Sequence, residues 1–180
     1  GVPRISPSIV LDETMRADFA LLVLDALPGA HRRFTQDTVG YLRSRKDETE
    51  YQRIKAAHLL NDRAVTAAFA ALKEGMTEIE VAEFIADFYK ANGATTEFCS
   101  ICFGPNGAFP HHHTGSTPLK AGDAVLIDTG CRLDGYPSDM TRMGYCGSQP
   151  DGFDEIHALV DRAVEAALAA ARPGAKASAV

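Results

Sequence analysis

One segment leaves the chain little freedom of local fold: an apolar run, Ala124-Val125-Leu126-Ile127, that ends on the carboxylate of Asp128. A turn signal follows at Arg132-Leu133-Asp134-Gly135, and the polar-flanked stretch Tyr136-Pro137-Ser138 then leads to a second carboxylate, Asp139. This is the pattern of a β-hairpin. With the turn centred between Leu133 and Asp134, antiparallel pairing sets Asp128 directly across from Asp139. Both side chains then leave one face, with their Cβ atoms about 4.5–5.5 Å apart. Two carboxylates that close repel, and burying them costs more still unless a cation or a shared proton compensates. A metal ion meets that need. The alternative is that one Asp caps the turn and the other faces solvent. His111 lies just upstream of the apolar strand, where an imidazole can reach the same site as ligand, substrate holder or proton shuttle. The run His111-His112-His113 could equally be a solvated loop, with one or two of its rings functional at most.

The strings that surround these residues carry a family resemblance. Gly104-Pro105-Asn106-Gly107-Ala108-Phe109-Pro110-His111, then Gly122-Asp123, then Ile127-Asp128-Thr129-Gly130, then Gly135-Tyr136-Pro137-Ser138-Asp139-Met140-Thr141-Arg142 occur in order. Together they resemble the first half of the catalytic domain of the Xaa-Pro peptidases, the aminopeptidase P and prolidase relatives of methionine aminopeptidase. The resemblance implies an α+β fold of the pita-bread type, with an antiparallel sheet backed by helices. It implies that Asp128 and Asp139 are ligands of a dinuclear metal centre. It also implies that His111 is the catalytic residue that contacts substrate near the reacting carbonyl, with His112 beside it as a second substrate-binding candidate. The expected substrate is a peptide with proline at the second position. Two divalent ions are expected, Mn²⁺ first and Co²⁺ or Zn²⁺ as alternatives, and oxygen-rich ligation itself favours hard or borderline ions.

Two departures qualify the resemblance. Met143 stands where the family usually has Thr, which should leave the chemistry unaffected. The family's other ligands, one His and two Glu, come from downstream segments outside this sequence. The 180-residue chain by itself is therefore expected to bind metal weakly and to turn over little or nothing. Two rival readings keep the fold and change the activity: a non-catalytic pita-bread binding module, as in certain histone chaperones, and a creatinase-like amidinohydrolase. Retention of both Asp residues argues against each. In domain terms the resemblance places residues 1–45 in the tail of a separate N-terminal α/β domain with its linker. Residues 46–180 form the N-terminal half of the catalytic domain.

The remaining features are consistent with a soluble enzyme of this kind. The formal charge of −6 and the lack of a basic cluster argue against nucleic acid or an anionic membrane as the main partner. No apolar run is long enough to cross a bilayer. Cys99 and Cys102 form a lone C-x-x-C inside the strand-like run Phe98–Phe103, without a second close pair for zinc and without the helix opening of a redox motif. Reduced thiols and a cytoplasmic location are expected. Exposed sheet edges invite self-association, a homodimer in the simplest case.

Helical periodicity appears at Ile54, Ala57, Val65, Ala68 and Leu72, before a stop at Gly75. It resumes behind a Thr77–Glu80 capping box with Val81, Phe84, Ile85 and Phe88. A further helix from Phe153 to Arg172 repeats the first. Asp62-Arg63-Ala64-Val65 recurs as Asp161-Arg162-Ala163-Val164, and the same offset aligns Gly75 with Gly174 and Val81 with Val180. The expected architecture is a pseudo-twofold repeat whose second copy breaks off within this sequence.

Overall fold

The computed structural model describes residues 7–180, and residues 1–6 of the expected front segment lie outside them. The chain divides into two compact units, one ending at Tyr51 and one beginning at Gln52. In the first, strands β1 (Ser8–Leu11) and β2 (His31–Phe34) pair in parallel. Helix α1 (Ala17–Ala26) connects them and a short helix α2 (Val39–Arg43) follows. The Pro28-Gly29 break ends α1 as the sequence suggests, with Gly29 at φ 84°, a conformation that glycine adopts without a Cβ penalty.

In the second unit, helices back one face of an antiparallel sheet, the α+β arrangement expected from the sequence. Helix α3 (Glu48–Ala71) starts in the first unit and continues into the second, and α4 (Glu78–Ala91) follows it. Strand β3 (Thr95–Phe103) comes next, then β4 (Ala124–Leu133), the two-residue β5 (Tyr136–Pro137), β6 (Met140–Tyr145) and helix α5 (Phe153–Ala170). Strand β4 is central, pairing β3 on one side and β5 and β6 on the other.

Alternation along the strands decides where the core sits, since successive side chains point to opposite faces. Ile101 and Phe103 on β3, and Val125, Ile127 and Cys131 on β4, are all buried and join Leu60, Ala64, Val65 and Ala68 of α3 and Val81, Ile85 and Tyr89 of α4 in one core. Small residues on α3 let that helix approach closely. The Thr77–Glu80 capping box forms as expected, pairing Thr77 N and Glu80 N at the start of α4. The buried stripe of α4 differs in detail from the expected one. Tyr89 completes it, while Phe84 keeps 37% of its surface exposed. The i, i+4, i+8 row of Val81, Ile85 and Tyr89 faces the core, and Phe84 lies to its side.

The repeat is visible in the backbone. Helix α3 ends at Ala71 and α5 at Ala170, Gly75 and Gly174 adopt φ of 91° and 85°, and a 3₁₀ turn, Ala177–Ala179, stands where α4 begins in the first copy. All these pairs share the offset that relates Asp62 to Asp161. Among the described residues no helix is long and apolar enough to cross a membrane.

Candidate active site

The sheet face turned away from α3 and α4 carries the carboxylates. Ser100 on β3 pairs with Asp128 on β4, and Asp128 pairs with Thr141 on β6, so three polar side chains form a row across the sheet. The Thr141 hydroxyl donates a 2.6 Å hydrogen bond to Asp128 Oδ1. Asp128 is half-buried and Asp139 exposed.

This register corrects one expectation. Leu133 pairs with Tyr136, so the turn is Asp134-Gly135, and Asp128 faces Thr141 instead of Asp139. Asp134 and Gly135 have φ of 49° and 84°, and positive φ at both central residues is what a type I′ hairpin turn requires and an Asp-Gly pair supplies. The two carboxylates still share a face. Ser138 N donates to Cys131 O at 2.8 Å and the Ser138 side chain is buried beside Cys131 on the helix side. The next residue, Asp139, therefore points the other way, towards the side of Asp128. The two Asp are diagonal neighbours, a relation that spans about 7–8 Å in a regular ladder, slightly less between Cβ atoms.

Gly130 lies across from this corner, and its lack of a side chain is required there. A Cβ would collide with the Ser138 carbonyl oxygen and with the Phe98 ring. The glycine lets the strand entering Asp139 press against β4.

Above the same face runs the loop that holds the three histidines. Ser100 Oγ donates to the His112 carbonyl at 3.4 Å, and Ile101 N donates to Thr114 Oγ1 at 2.9 Å. The loop backbone thus crosses the strand position directly opposite Asp128. His111 is exposed. The His112 ring is engaged differently from what its sequence position suggests: its Nε2 lies 2.9 Å from Glu78 Oε2. Sequence reasoning missed Glu78, which reads as an ordinary acidic residue in the first turn of a helix. Its carboxylate is wholly buried and also accepts from Phe103 N, Asn106 Nδ2 and Gly115 N at 2.7–2.9 Å. Burial alone would push the carboxyl up, but these hydrogen bonds, led by Asn106 and His112, outweigh it and hold Glu78 below the usual carboxylate range.

Asp128 and Asp139 offer hard oxygen donors on one open face, a donor type suited to Mn²⁺ and similar ions. Among the described residues no three His, Cys, Asp or Glu side chains come together closely enough to hold a metal ion. The pair fits part of a metal site. Arg142 behaves as a structural residue, donating to the Thr141 carbonyl and lying 3.9 Å from Asp62 on α3. The C-x-x-C is no chelate, since Cys99 and Cys102 are three residues apart in one strand and leave opposite faces. All four cysteines are free, and burial pushes the thiols of Cys99 and Cys102 up, away from reactivity.

Residues 52–180 match the model of metallopeptidase family M24. The chain belongs to that family. Among solved structures, this M24 chain is similar to the prolidase from Pyrococcus horikoshii OT3, with a TM-score of 0.82 and 29% identity, over 89% of this chain and 47% of that one. It is also similar to dipeptidase PepE from Mycobacterium ulcerans, with a TM-score of 0.81 and 32% identity, over 88% of this chain and 43% of that one. The Bacillus subtilis protein YkvY is 36% identical over 153 residues, which take in 84% of this chain and 42% of YkvY. The chain spans about half the length, or less, of the relatives it matches. The α+β fold is thus that of the M24 pita-bread domain, of which this chain covers a part.

A buried polar cluster holds the M24 helices to the carboxylate strand. Asn61 Nδ2 on α3 donates to Thr129 O at 2.8 Å, and the Tyr89 hydroxyl on α4 donates to Asn61 Oδ1 at 2.6 Å. The Thr129 hydroxyl donates to Phe98 O at 3.0 Å, which ties β4 to β3. Burial pushes the Tyr89 phenol up, so it remains a neutral donor. The cluster fixes the residue next to Asp128.

Proposed function

We propose that this M24 chain supplies the first half of the catalytic domain of a metal-dependent exopeptidase that cleaves Xaa-Pro bonds at peptide N-termini or in dipeptides. The observation that carries the reading is the row Ser100–Asp128–Thr141 with Asp139 on the same face, opposite α3 and α4 and beneath the histidine loop. Asp128 and Asp139 would hold divalent metal, with Mn²⁺ favoured by the oxygen donors. When bound, such an ion lowers the pKa of water and polarises a carbonyl.

The chain's own side chains do the rest. Thr141 occupies one lone pair of Asp128 and so orients that carboxylate, the role second partners commonly play around metal ligands. His111, exposed on the loop, donates a hydrogen bond to the substrate carbonyl or to the oxyanion that develops from it. His112, also a substrate-contact candidate from its position, has its ring occupied by Glu78 and serves first as the anchor of that loop. Proline specificity is supported by similarity to proteins described as a prolidase and as an X-Pro aminopeptidase from Thermotoga maritima.

The test is cleavage of Ala-Pro, Ala-Ala and an Ala-Pro-initiated tripeptide by the full-length protein, with and without Mn²⁺. Metal-dependent cleavage of the Ala-Pro bond and none of Ala-Ala is the expected result. Equal cleavage of Ala-Ala would remove the proline specificity, and cleavage unaffected by chelator would remove the metal. The 180-residue chain alone, verified by intact mass, is expected to be inactive in the same assay.

A further inference from the structure

Glu78 is the one buried carboxylate among the described residues, and every atom that satisfies it belongs to the segment that delivers the histidine loop. Oε1 accepts from Phe103 N at 2.9 Å and Asn106 Nδ2 at 2.7 Å, just before the loop. Oε2 accepts from Gly115 N at 2.9 Å, just after it, and faces His112 Nε2 within it at 2.9 Å. The backbone of α4 adds two more ties, Glu78 N to Thr117 O and Ile79 N to Gly115 O. Asn106 Nδ2 also reaches Thr117 Oγ1 at 3.0 Å. Both ends of the loop and its middle thus converge on one side chain.

A carboxylate is the only side chain of this size that can serve four donors. It offers about four lone-pair positions and no hydrogen. An apolar residue would orphan buried donors, each at a cost comparable to a lost hydrogen bond. A glutamine would turn an NH₂ group towards two of them. Burying a carboxylate is unfavourable in itself, so a merely space-filling role would be met better by an apolar residue.

We infer that Glu78 is a positioning residue, whose carboxylate clamps the histidine loop at Phe103, Asn106, His112 and Gly115 and thereby sets the pose of His111, next to the His112 backbone that crosses the strand position opposite Asp128. The inference rests on the proposed function for what His111 meets, a peptide carbonyl, and not for the clamp itself. Glu78 touches no substrate. It acts through the loop, and a displacement of about 1 Å at a reacting centre lowers rate by about 100-fold.

The experiment compares wild type, Glu78→Gln and Glu78→Asp by imidazole ¹⁵N–¹H NMR on this chain. Wild type should show His112 protonated at Nε2, with that proton slow to exchange. Glu78→Gln should abolish the slow proton and move the His111 ring resonances, while the methyl signals of Leu60 and Ile127 in the core stay in place. Glu78→Asp, which keeps the charge, should restore part of the pattern. In the full-length enzyme Glu78→Gln should lower kcat about 100-fold with KM little changed. A folded Glu78→Gln protein with the His112 proton and the His111 resonances of wild type would overturn the inference. If that variant does not fold, Asn106→Ala removes one of the four donors five residues from His111. An unmoved His111 signal there would overturn the inference equally. Failure of wild-type full-length protein to cleave any Xaa-Pro peptide would instead sink the functional reading, leaving the NMR comparison to decide the clamp.

Discussion

The chemistry at the residue scale turns on a few oxygen atoms whose partners are specific. Thr141→Val deletes the hydroxyl that orients Asp128 while preserving shape. Metal affinity of the full-length protein should fall by about 10–100-fold, measured by calorimetric titration with Mn²⁺, with the thermal midpoint unchanged because the site is near the surface. Unchanged affinity would mean that Thr141 does not tune the ligand. Glu78 makes a separate prediction about acid. Its carboxyl is held below its ordinary value of 4.5 in the folded chain, so its contribution to stability is present above that value and is lost as pH falls through the lower folded pKa. Urea midpoints should drop below about pH 4.5 in wild type and drop less steeply in Glu78→Gln, and identical slopes would contradict the assignment. Neither residue's role was readable from sequence. The donors to Glu78 lie far along the chain, and a first-turn acid is so common at helix starts that local pattern gives no hint of burial.

Elements were more legible than their registration. The hairpin, the capping box of α4, the strand Thr95–Phe103 and the turn after Phe103 follow directly from apolar alternation and turn chemistry, because those signals are local. A turn centred between Leu133 and Asp134 sets the partner of Asp128 two positions away from the Thr141 that the structure has. The Asp134-Gly135 pair, the stronger I′ signal, centres it correctly. A shift of two preserves side-chain facing, since the strand period is also two, and that is why both carboxylates remain on one face. Gly130 tests the corner: Gly130→Ala should destabilise by about 1–3 kcal/mol through the clash with Ser138 and Phe98. Chemical denaturation would show it, and a neutral result would mean that the β4–Asp139 approach is looser than described. The Asn61–Tyr89–Thr129 cluster gives a second test, since Asn61→Leu removes the donor to Thr129 O and leaves the buried Tyr89 hydroxyl only the longer 3.3 Å contact with Thr129 Oγ1, and should cost about 1–3 kcal/mol.

For the whole molecule, the repeat explains a face that the described structure leaves exposed. Ala57, Leu60, Asn61 and Val65 of α3 are buried, and the same offset relates them to Ile156, Leu159, Val160 and Val164 of α5, which are all more than half exposed. The sequence alone carried the repeat and its alignment, but not this difference, because burial depends on what each helix packs against. An apolar face of this kind favours association. Ile156→Lys with Val160→Lys should reduce self-association of the 180-residue chain in sedimentation velocity without lowering the stability of the α3–α4 core. Unchanged sedimentation would place association elsewhere. Val160 stands at the position of Asn61, so α5 lacks the amide with which α3 holds the Thr129 carbonyl.

The most direct test of the account is Xaa-Pro hydrolysis by the full-length protein in Mn²⁺, wild type against Asp128→Ala, with protein-bound metal measured on the same samples. Loss of bound metal together with a fall in kcat/KM on the order of 10³-fold is predicted. Activity and metal content close to wild type in Asp128→Ala would contradict it.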